Sequence, residues 1–205
     1  MKDIFTPIIK GHIKITDYDT GEVLADKPNS VNYEAISLAM AQTLADWSVS
    51  GQRLGYIYSM AFGNGGSSVD PTGVITYLPP NVTGLNANLY NQTYSKVVDQ
   101  NSVADTDPTT NYMTVTHTSG QLYSDIVVTC LLDYGEPAGQ QAFDNATNYN
   151  GEYVFDELGL QVWNGSATDL RLITHVIFHP IEKSLNRRLE VRYSLRISAL
   201  TTLLV

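Results

Sequence analysis

Residues 189–197 alternate strictly between apolar and polar side chains, and this pattern constrains the fold more than any other stretch of the chain. Successive side chains of a strand point to opposite faces, so the segment predicts a strand with one buried and one solvated face. The apolar face would carry Leu189, Val191, Tyr193, Leu195 and Ile197, and the polar face Glu190, Arg192, Ser194 and Arg196. We expect the rest of the chain to pack on a sheet that contains this strand.

Two apolar stretches precede that strand and extend the sheet. Residues 153–169 predict a strand that turns over at Asn164-Gly165, and residues 170–183 predict the next one. Both are rich in β-branched, aromatic and leucine side chains and are separated by turn residues, which is typical of a meander.

The first half of the chain predicts a hairpin, one helix and several short strands. The hairpin covers residues 11–25 and the helix about residues 31–46, with Asn29 or Ser30 as its cap. Its apolar stripe should face a sheet and consists of Ile36, Met40, Leu44 and Trp47. The short strands are expected near residues 56–62, 74–78, 94–98, 112–116 and 126–132.

These elements predict a mainly β protein with one short helix, as an antiparallel β-sandwich or meander with long inserted loops. At 205 residues the chain is long enough for one well-buried domain, and we expect residues 1–205 to form one. The loop-rich insertion covers about residues 79–151 and includes two long loops, 79–91 and 134–153. Long loops in a compact domain are usually functional or held by a partner.

The charge pattern argues against nucleic acid as a partner and divides the chain into two regions. The net charge is −9, whereas nucleic-acid binding requires a surplus of Lys and Arg. Residues 60–170 contain twelve acidic side chains and one basic side chain, Lys96, but residues 171–196 contain six basic and two acidic ones. The two regions could neutralise each other within one chain or between subunits.

The candidates for chemistry do not form a convincing catalytic site. His175 and His179 share strand parity but would lie roughly 13 Å apart, too far for one metal ion without a bend. Asp156 and Glu157 are adjacent and would face opposite sides of a strand. Strand histidines in apolar surroundings are more often partnered core or interface residues, so we expect no enzyme and no cofactor.

Three other motifs have simple structural interpretations. The glycine cluster in residues 63–66 lacks the spacing of a nucleotide-binding loop. Cys130 lies in an apolar run and is expected to be a buried thiol. Asp17 and Asp19 resemble the start of a calcium loop, but Pro28 stands where its bidentate glutamate belongs, so we expect no metal. No apolar run is long enough for a membrane span.

Several segments, taken in order, resemble structural proteins of tailed-bacteriophage virions. They are a short helix with Asn29 and Leu38-Ala39, a strand with a small-residue end in residues 60–66, Glu157-Leu158-Gly159-Leu160, then residues 178–183 (Phe-His-Pro-Ile-Glu-Lys) and a closing strand. Tail, collar, neck, baseplate and fibre-attachment proteins often have this order. The likeness covers about residues 29–197, and the chain departs from it in the longer, Asn-rich insertion.

The resemblance implies an assembly role in the virion, which is built in the host cytoplasm, with copies of itself and other virion proteins as partners. We expect a multi-copy ring, because the polar but sparsely charged surface suits contacts between unlike faces of neighbours. As a hypothesis, the acidic insertion of one copy docks on the basic C-terminal face of the next. The residues proposed for this contact are Arg187, Arg188, Arg192, Arg196, Asp133, Glu136, Asp144 and Glu152.

Two other functions remain open from the sequence. The same β-rich chain could be a capsid decoration protein, which would differ from a ring subunit in copy number. It could also be a carbohydrate-binding module that uses Tyr90, Tyr94, Tyr112 and Tyr123 as stacking platforms in its loops. Neither membrane binding nor a small-molecule substrate is expected.

Overall fold

The computed structural model describes the backbone of residues 3–138 and 154–203 and the side chains of residues 7–138 and 154–198. It is mainly β, with 54% of residues in strands and a single short helix, so the predicted fold class is confirmed. The elements are β1 (Asp3–Asp17), β2 (Val23–Val31), α1 (Tyr33–Leu44), β3 (Ser48–Val49), β4 (Gln52–Arg53), β5 (Ile57–Gly63), β6 (Ser67–Val69), β7 (Ile75–Tyr77), β8 (Gln92–Val97), β9 (Tyr112–His117), β10 (Tyr123–Leu132), β11 (Val154–Ser166), β12 (Asp169–Leu172), β13 (Thr174–Glu182) and β14 (Leu189–Leu203).

One antiparallel sheet curls into a half-barrel and contains ten of these strands. Nine follow the order β8-β5-β11-β13-β2-β1-β14-β10-β9, and β12 pairs with β11 beside that path. The predicted N-terminal hairpin is present as β1 and β2, and it lies between β13 and β14. The last strands of the chain are therefore not consecutive neighbours in the sheet, because β14 pairs instead with β1 over the full length of both.

The core lies on the concave side of the curled sheet and against α1. The alternation that predicted β14 is confirmed, because Leu189, Val191, Tyr193 and Leu195 are all buried while Arg192 and Arg196 are exposed. Buried apolar residues of β1, β5, β11 and β13 complete the same cluster. Burial on one face and charge on the other fixes the register, since a slip of one residue would exchange the two faces.

The helix begins and ends at different residues from those predicted. Asn32 is its cap, and the Asn32 side chain accepts a hydrogen bond from the Ala35 backbone N–H at 3.1 Å. Asn29 and Ser30 cannot cap it because they belong to β2, which continues to Val31.

Only part of the predicted apolar stripe of α1 is buried. Ile36 contacts the core, but Leu44 and Trp47 are 84% and 58% exposed. Ala35 and Ala39 supply the rest of the buried face, since small side chains let the helix approach the sheet closely.

Two further predictions about strand ends were wrong. Asn164-Gly165 is an irregularity within β11, and the chain reverses afterwards at residues 167–168, between Ser166 and its partner Asp169. Gly165 has φ = +117°, a conformation that favours glycine. The segment 170–183 is not one strand, because it is interrupted at Ile173. The Ile173 N–H donates to the Leu160 carbonyl, and the Ile173 carbonyl accepts from the Asn32 N–H.

Candidate functional site

The glycine-rich turn after β5 is held by a buried carboxylate of β11. The Asp156 side chain accepts hydrogen bonds from the backbone N–H groups of Gly66 at 2.9 Å and Ser67 at 2.7 Å, and from the Ser67 hydroxyl at 2.5 Å. Successive N–H groups of such a turn form an anion-binding concavity. The turn therefore does cradle an anion, but the anion is a side chain of the same protein.

The neighbouring carboxylate, Glu157, accepts four hydrogen bonds and is fully buried. Three come from backbone N–H groups of Gly65, Tyr90 and Asn91, at distances of 2.8–3.1 Å. The fourth comes from His175 Nε2 at 2.9 Å. Glu157 thus joins the glycine turn, the end of loop 79–91 and β13 in one network.

His175 connects Asn81 to Glu157 through its two ring nitrogens, and these two hydrogen bonds define its tautomer. The Asn81 backbone N–H donates to His175 Nδ1 at 2.8 Å, so that nitrogen must carry a lone pair. The ring proton is then on Nε2, where it donates to Glu157. The prediction that a strand histidine here is a partnered core residue is confirmed for His175, which is fully buried.

Both carboxylates contact the same turn, which simple alternation did not predict, and the strand pairing beside them is irregular. Phe155 pairs with Ile181 and Glu157 pairs with Ile177, so Asp156 lies opposite three residues of β13. One of these three is Pro180, which lacks the N–H that a regular ladder needs. The ladder between β11 and β13 is therefore interrupted by a bulge beside the two acidic residues.

The two carboxylates have opposite pKa shifts. Burial alone would raise the pKa of Glu157, but the hydrogen bonds from His175 and the three backbone N–H groups outweigh it and lower the pKa. Burial raises the pKa of Asp156, and the nearby negative charge of Glu157 raises it further. The hydrogen bonds from Ser67 and Gly66 lower this pKa but do not cancel the rise. In this arrangement both side chains hold loops in place through hydrogen bonds, and both are buried from solvent.

The other candidates for chemistry lie apart from this network. His179 is exposed, and its Nδ1 lies 3.1 Å from the Tyr77 hydroxyl. The prediction of a buried thiol is confirmed for Cys130, where burial raises the pKa to about 12.

Three of the four arginines proposed for the subunit contact have acidic partners within the chain. Arg187 pairs with Asp17 at 2.8 Å, Arg188 pairs with Asp19, and Arg196 pairs with Asp125 at 2.7 Å. Arg188 and Arg196 also lie over the rings of Tyr18 and Tyr123. Arg192 is exposed and has a weak contact with Glu190 at 3.7 Å. A docking acidic segment would have to compete with these pairs.

The acidic half of that proposed contact is only partly described. Glu136 forms an ion pair with buried Lys96 and accepts a hydrogen bond from the Asp133 backbone N–H. Asp133 itself is exposed. Asp144 and Glu152 lie outside the described residues. The contact between acidic insertion and basic face therefore stays a prediction.

The tyrosines proposed as sugar platforms have different neighbours within the chain. Tyr90 packs against the His175 ring and donates to the Pro79 carbonyl, and Tyr94 packs against Phe62. Tyr112 lies on β9, and Tyr123 is covered by Arg196. Loop 79–91 is also held by residues of its own chain. Asn81 donates to His175, and the Gly84 carbonyl accepts from the Asn32 side chain.

The open side of the half-barrel carries an apolar groove of about 450 Å³ between α1 and β9. We call this surface the open groove, and its main lining residues are Ile9, Met40, Leu44, Val115, Ile126 and Ile197. Its rim is accessible, because Leu44 and Val115 are 84% and 71% exposed. The sequence did not predict the groove, because the apolar stripe of α1 was expected to be covered completely by a sheet.

The strand that borders the groove, β9, is an edge of the sheet. The Gln100 side chain bonds to both the N–H and the C=O of Met113, so those groups point away from β10. By the alternation of an antiparallel ladder, the N–H and C=O groups of Val115 and His117 point the same way. Within the described part of the chain, no strand pairs with this edge.

Within residues 3–138 and 154–203, no group of three or more His, Cys, Asp and Glu side chains is placed to hold a metal ion. No helix in the same residues is long and apolar enough to cross a membrane. Comparison of the chain with protein-family models, curated proteins and solved structures found no match.

Proposed function

We propose that this chain is a structural subunit of a tailed-bacteriophage virion, in the neck, collar, baseplate or tail, and that its copies assemble into a ring. The observation that carries this proposal is the open groove next to the exposed edge strand β9. The resemblance of the ordered segments to virion proteins supplies the biological setting. The proposed role is non-catalytic and needs no cofactor, membrane or nucleic-acid sequence.

The groove supports assembly because it exposes apolar surface that a monomer would leave in water. Contiguous apolar patches on soluble proteins usually mark contact sites. Met40 and Leu44 of α1 face Val115, Ile126 and other apolar side chains of the sheet across the groove. Covering them would stabilise a complex by roughly 25 cal/mol for each Å² of apolar surface removed from water.

The edge strand supports the same conclusion through its composition. Natural edge strands are usually protected against pairing by charged residues, proline or bulges. β9 has the sequence Tyr-Met-Thr-Val-Thr-His, with no proline, no acidic residue and no Lys or Arg. Its exposed half, residues 114–117, therefore combines strand-forming side chains with backbone groups that no strand of the described residues pairs with.

We propose a second copy of this chain as the occupant of the groove. Each copy has a net charge of −9, so copies repel each other on average, and a contact at an uncharged surface adds nothing to that repulsion. The groove is such a surface, because no Asp, Glu, Lys, Arg or His is among the described residues that line it. A contact between this surface and a different face of the next copy is a head-to-tail contact. Such contacts form a ring when the rotation that relates neighbouring copies returns to the first copy after a whole number of steps.

The test is a pair of lysine substitutions on adjacent residues of β9. Val115→Lys places a charge in the groove, whereas Thr116→Lys places the same charge on the opposite face of the same strand. Native mass spectrometry and electron microscopy of the purified protein should show closed multimers for the parent chain and Thr116→Lys, and monomers for Val115→Lys. A monomeric parent chain, or equal behaviour of the two variants, would overturn the proposal.

Ionic strength separates the groove from the arginine contact proposed above. A ring held by the uncharged groove should persist or strengthen as salt rises, because salt screens the repulsion between copies. A ring held by Arg192 and its neighbours against an acidic segment should dissociate instead. The capsid decoration protein remains the alternative, and a small fixed copy number without a closed ring would favour it.

A further inference from the structure

A second depression, distinct in its chemistry, lies at the C-terminal end of α1. It has a volume of about 750 Å³, within the range of roughly 300–1,000 Å³ that is usual for small-molecule sites. One wall is the β3–β4 hairpin, and the other is the turn after Asp99. We call it the aromatic cleft, and its principal residues are Trp47, Arg53, Tyr56, Tyr58, Asn101 and Trp163.

Both tryptophans of the chain line this cleft although they are far apart in sequence. The rings of Tyr56 and Trp163 stack with centroids 6.3 Å apart and an interplanar angle of 17°. Tyr58 packs against Trp163 from the buried side, with centroids 4.6 Å apart. Trp47 is 58% exposed, so a large apolar face is presented to solvent at the cleft.

Hydrogen bonds fix the backbone that carries the two tryptophans. The Trp47 N–H donates to the Gln42 carbonyl at 2.9 Å, and the Trp47 carbonyl accepts from Leu54 at 3.0 Å. Trp163 exchanges similar bonds with Gly55 at 3.0 Å and Tyr56 at 2.9 Å. Aromatic surface on a fixed backbone is pre-organised for a ligand, since little conformational entropy is lost on binding.

The polar residues of the cleft favour a neutral ligand that forms many hydrogen bonds. Gln42, Gln52, Asn101 and Ser102 bring amide and hydroxyl groups to its walls. Among the described residues that line the cleft, Arg53 alone has a full positive charge, and it pairs with Asp46 at 3.0 Å. Buried Asp99 leaves the lining with a net negative charge, so a phosphate or a carboxylate would be repelled.

We propose that the aromatic cleft binds a neutral sugar, as one or two rings of an oligosaccharide. A pyranose ring has a C–H face that packs on an aromatic ring and hydroxyl groups that need donors and acceptors at its edge. The cleft offers both surfaces side by side, with Trp47 and Tyr56 as platforms and Asn101 and Gln42 as hydrogen-bonding groups. This inference does not depend on the proposed virion role.

Intrinsic fluorescence reports on the cleft directly because both tryptophans belong to it. The parent chain is titrated with short neutral oligosaccharides of glucose, mannose, galactose and N-acetylglucosamine, each to roughly 10 mM, which would nearly fill a site with a Kd of about 1 mM. At least one series should give a saturable spectral shift. A glucuronate oligosaccharide and adenosine monophosphate serve as anionic probes and should give none.

Two alanine variants locate the binding. Trp47→Ala removes an exposed platform and should weaken binding at least about tenfold, measured by calorimetry. Tyr33→Ala removes an aromatic ring that is 71% exposed outside the cleft, and it should bind like the parent chain. No shift with any neutral probe, tighter binding of an anionic probe, or equal weakening in both variants would overturn the proposal.

The cleft and the open groove meet at Thr43, Tyr56 and Met113, so their tests must be separable. Val115→Lys should abolish assembly without reducing sugar affinity. Trp47→Ala should reduce sugar affinity without abolishing assembly. Failure of one proposal therefore leaves the other to be judged on its own variant.

Discussion

Replacing Glu157 with glutamine should destabilise the protein strongly although the side chain keeps its size. The carboxylate accepts four hydrogen bonds, from Gly65, Tyr90, Asn91 and His175. An amide has only one oxygen, which can still accept from Gly65 and Asn91. Its NH₂ group would then face the N–H of Tyr90 and the Nε2–H of His175, which are also donors.

The expected loss follows from these two unpaired donors. A buried polar group without a partner costs about 1–3 kcal/mol, so Glu157→Gln should lower the free energy of unfolding by about 2–6 kcal/mol. The histidine cannot relieve the conflict by changing tautomer, because its Nδ1 already accepts from Asn81. For a chain of this length the change corresponds to a fall in Tm of roughly 5–20 °C.

Urea unfolding of the purified variant, followed by tryptophan fluorescence and circular dichroism, measures this change. Glu182→Gln is the matched control, since Glu182 lies on β13 with an exposed side chain and should change stability by no more than about 0.5 kcal/mol. A Glu157→Gln variant within about 1 kcal/mol of the parent chain would refute the reasoning, as would an equal effect of the control.

Three further results are expected. The stability difference between the parent chain and Glu157→Gln should shrink as pH falls below the ordinary glutamate pKa of 4.5. The pKa of Glu157 is lowered in the folded protein, so its carboxylate stabilises the fold only while it is ionised. A difference that grows in acid would contradict this. Gly159→Ala should destabilise by several kcal/mol, since a Cβ would lie 2.1 Å from the Thr174 carbonyl oxygen, and a soluble variant with an unchanged Tm would contradict the packing. Cys130 should react with a thiol reagent only after unfolding, and rapid labelling of the native protein would disagree with its burial.

Local patterns in the sequence predicted the elements well but not their partners. The alternation in residues 189–197 indicates both a strand and which of its faces is buried, so β14 could be predicted from side-chain chemistry alone. Its neighbour β1 lies at the other end of the chain, and the hairpin of β1 and β2 enters the sheet between β13 and β14. Such pairing depends on contacts between distant residues, which no local pattern records.

The buried network was missed for a similar reason. Strand periodicity placed Asp156 and Glu157 on opposite faces, yet both accept hydrogen bonds from the turn in residues 65–67, beside the irregular ladder that contains Pro180. The signal that could have found it is Pro180 itself, since proline within a strand indicates an irregular ladder. The aromatic cleft needs the fold as well, because Trp47 and Trp163 belong to elements with no local relation.

We propose that a second copy of the chain covers the open groove and its edge strand. Amide hydrogen exchange at Val115 and His117, measured over a series of protein concentrations, tests it most directly. Both N–H groups point away from β10 and should exchange fast in dilute protein, then become protected as multimers form. Equally fast exchange at every concentration, including samples in which multimers are present, would contradict the claim.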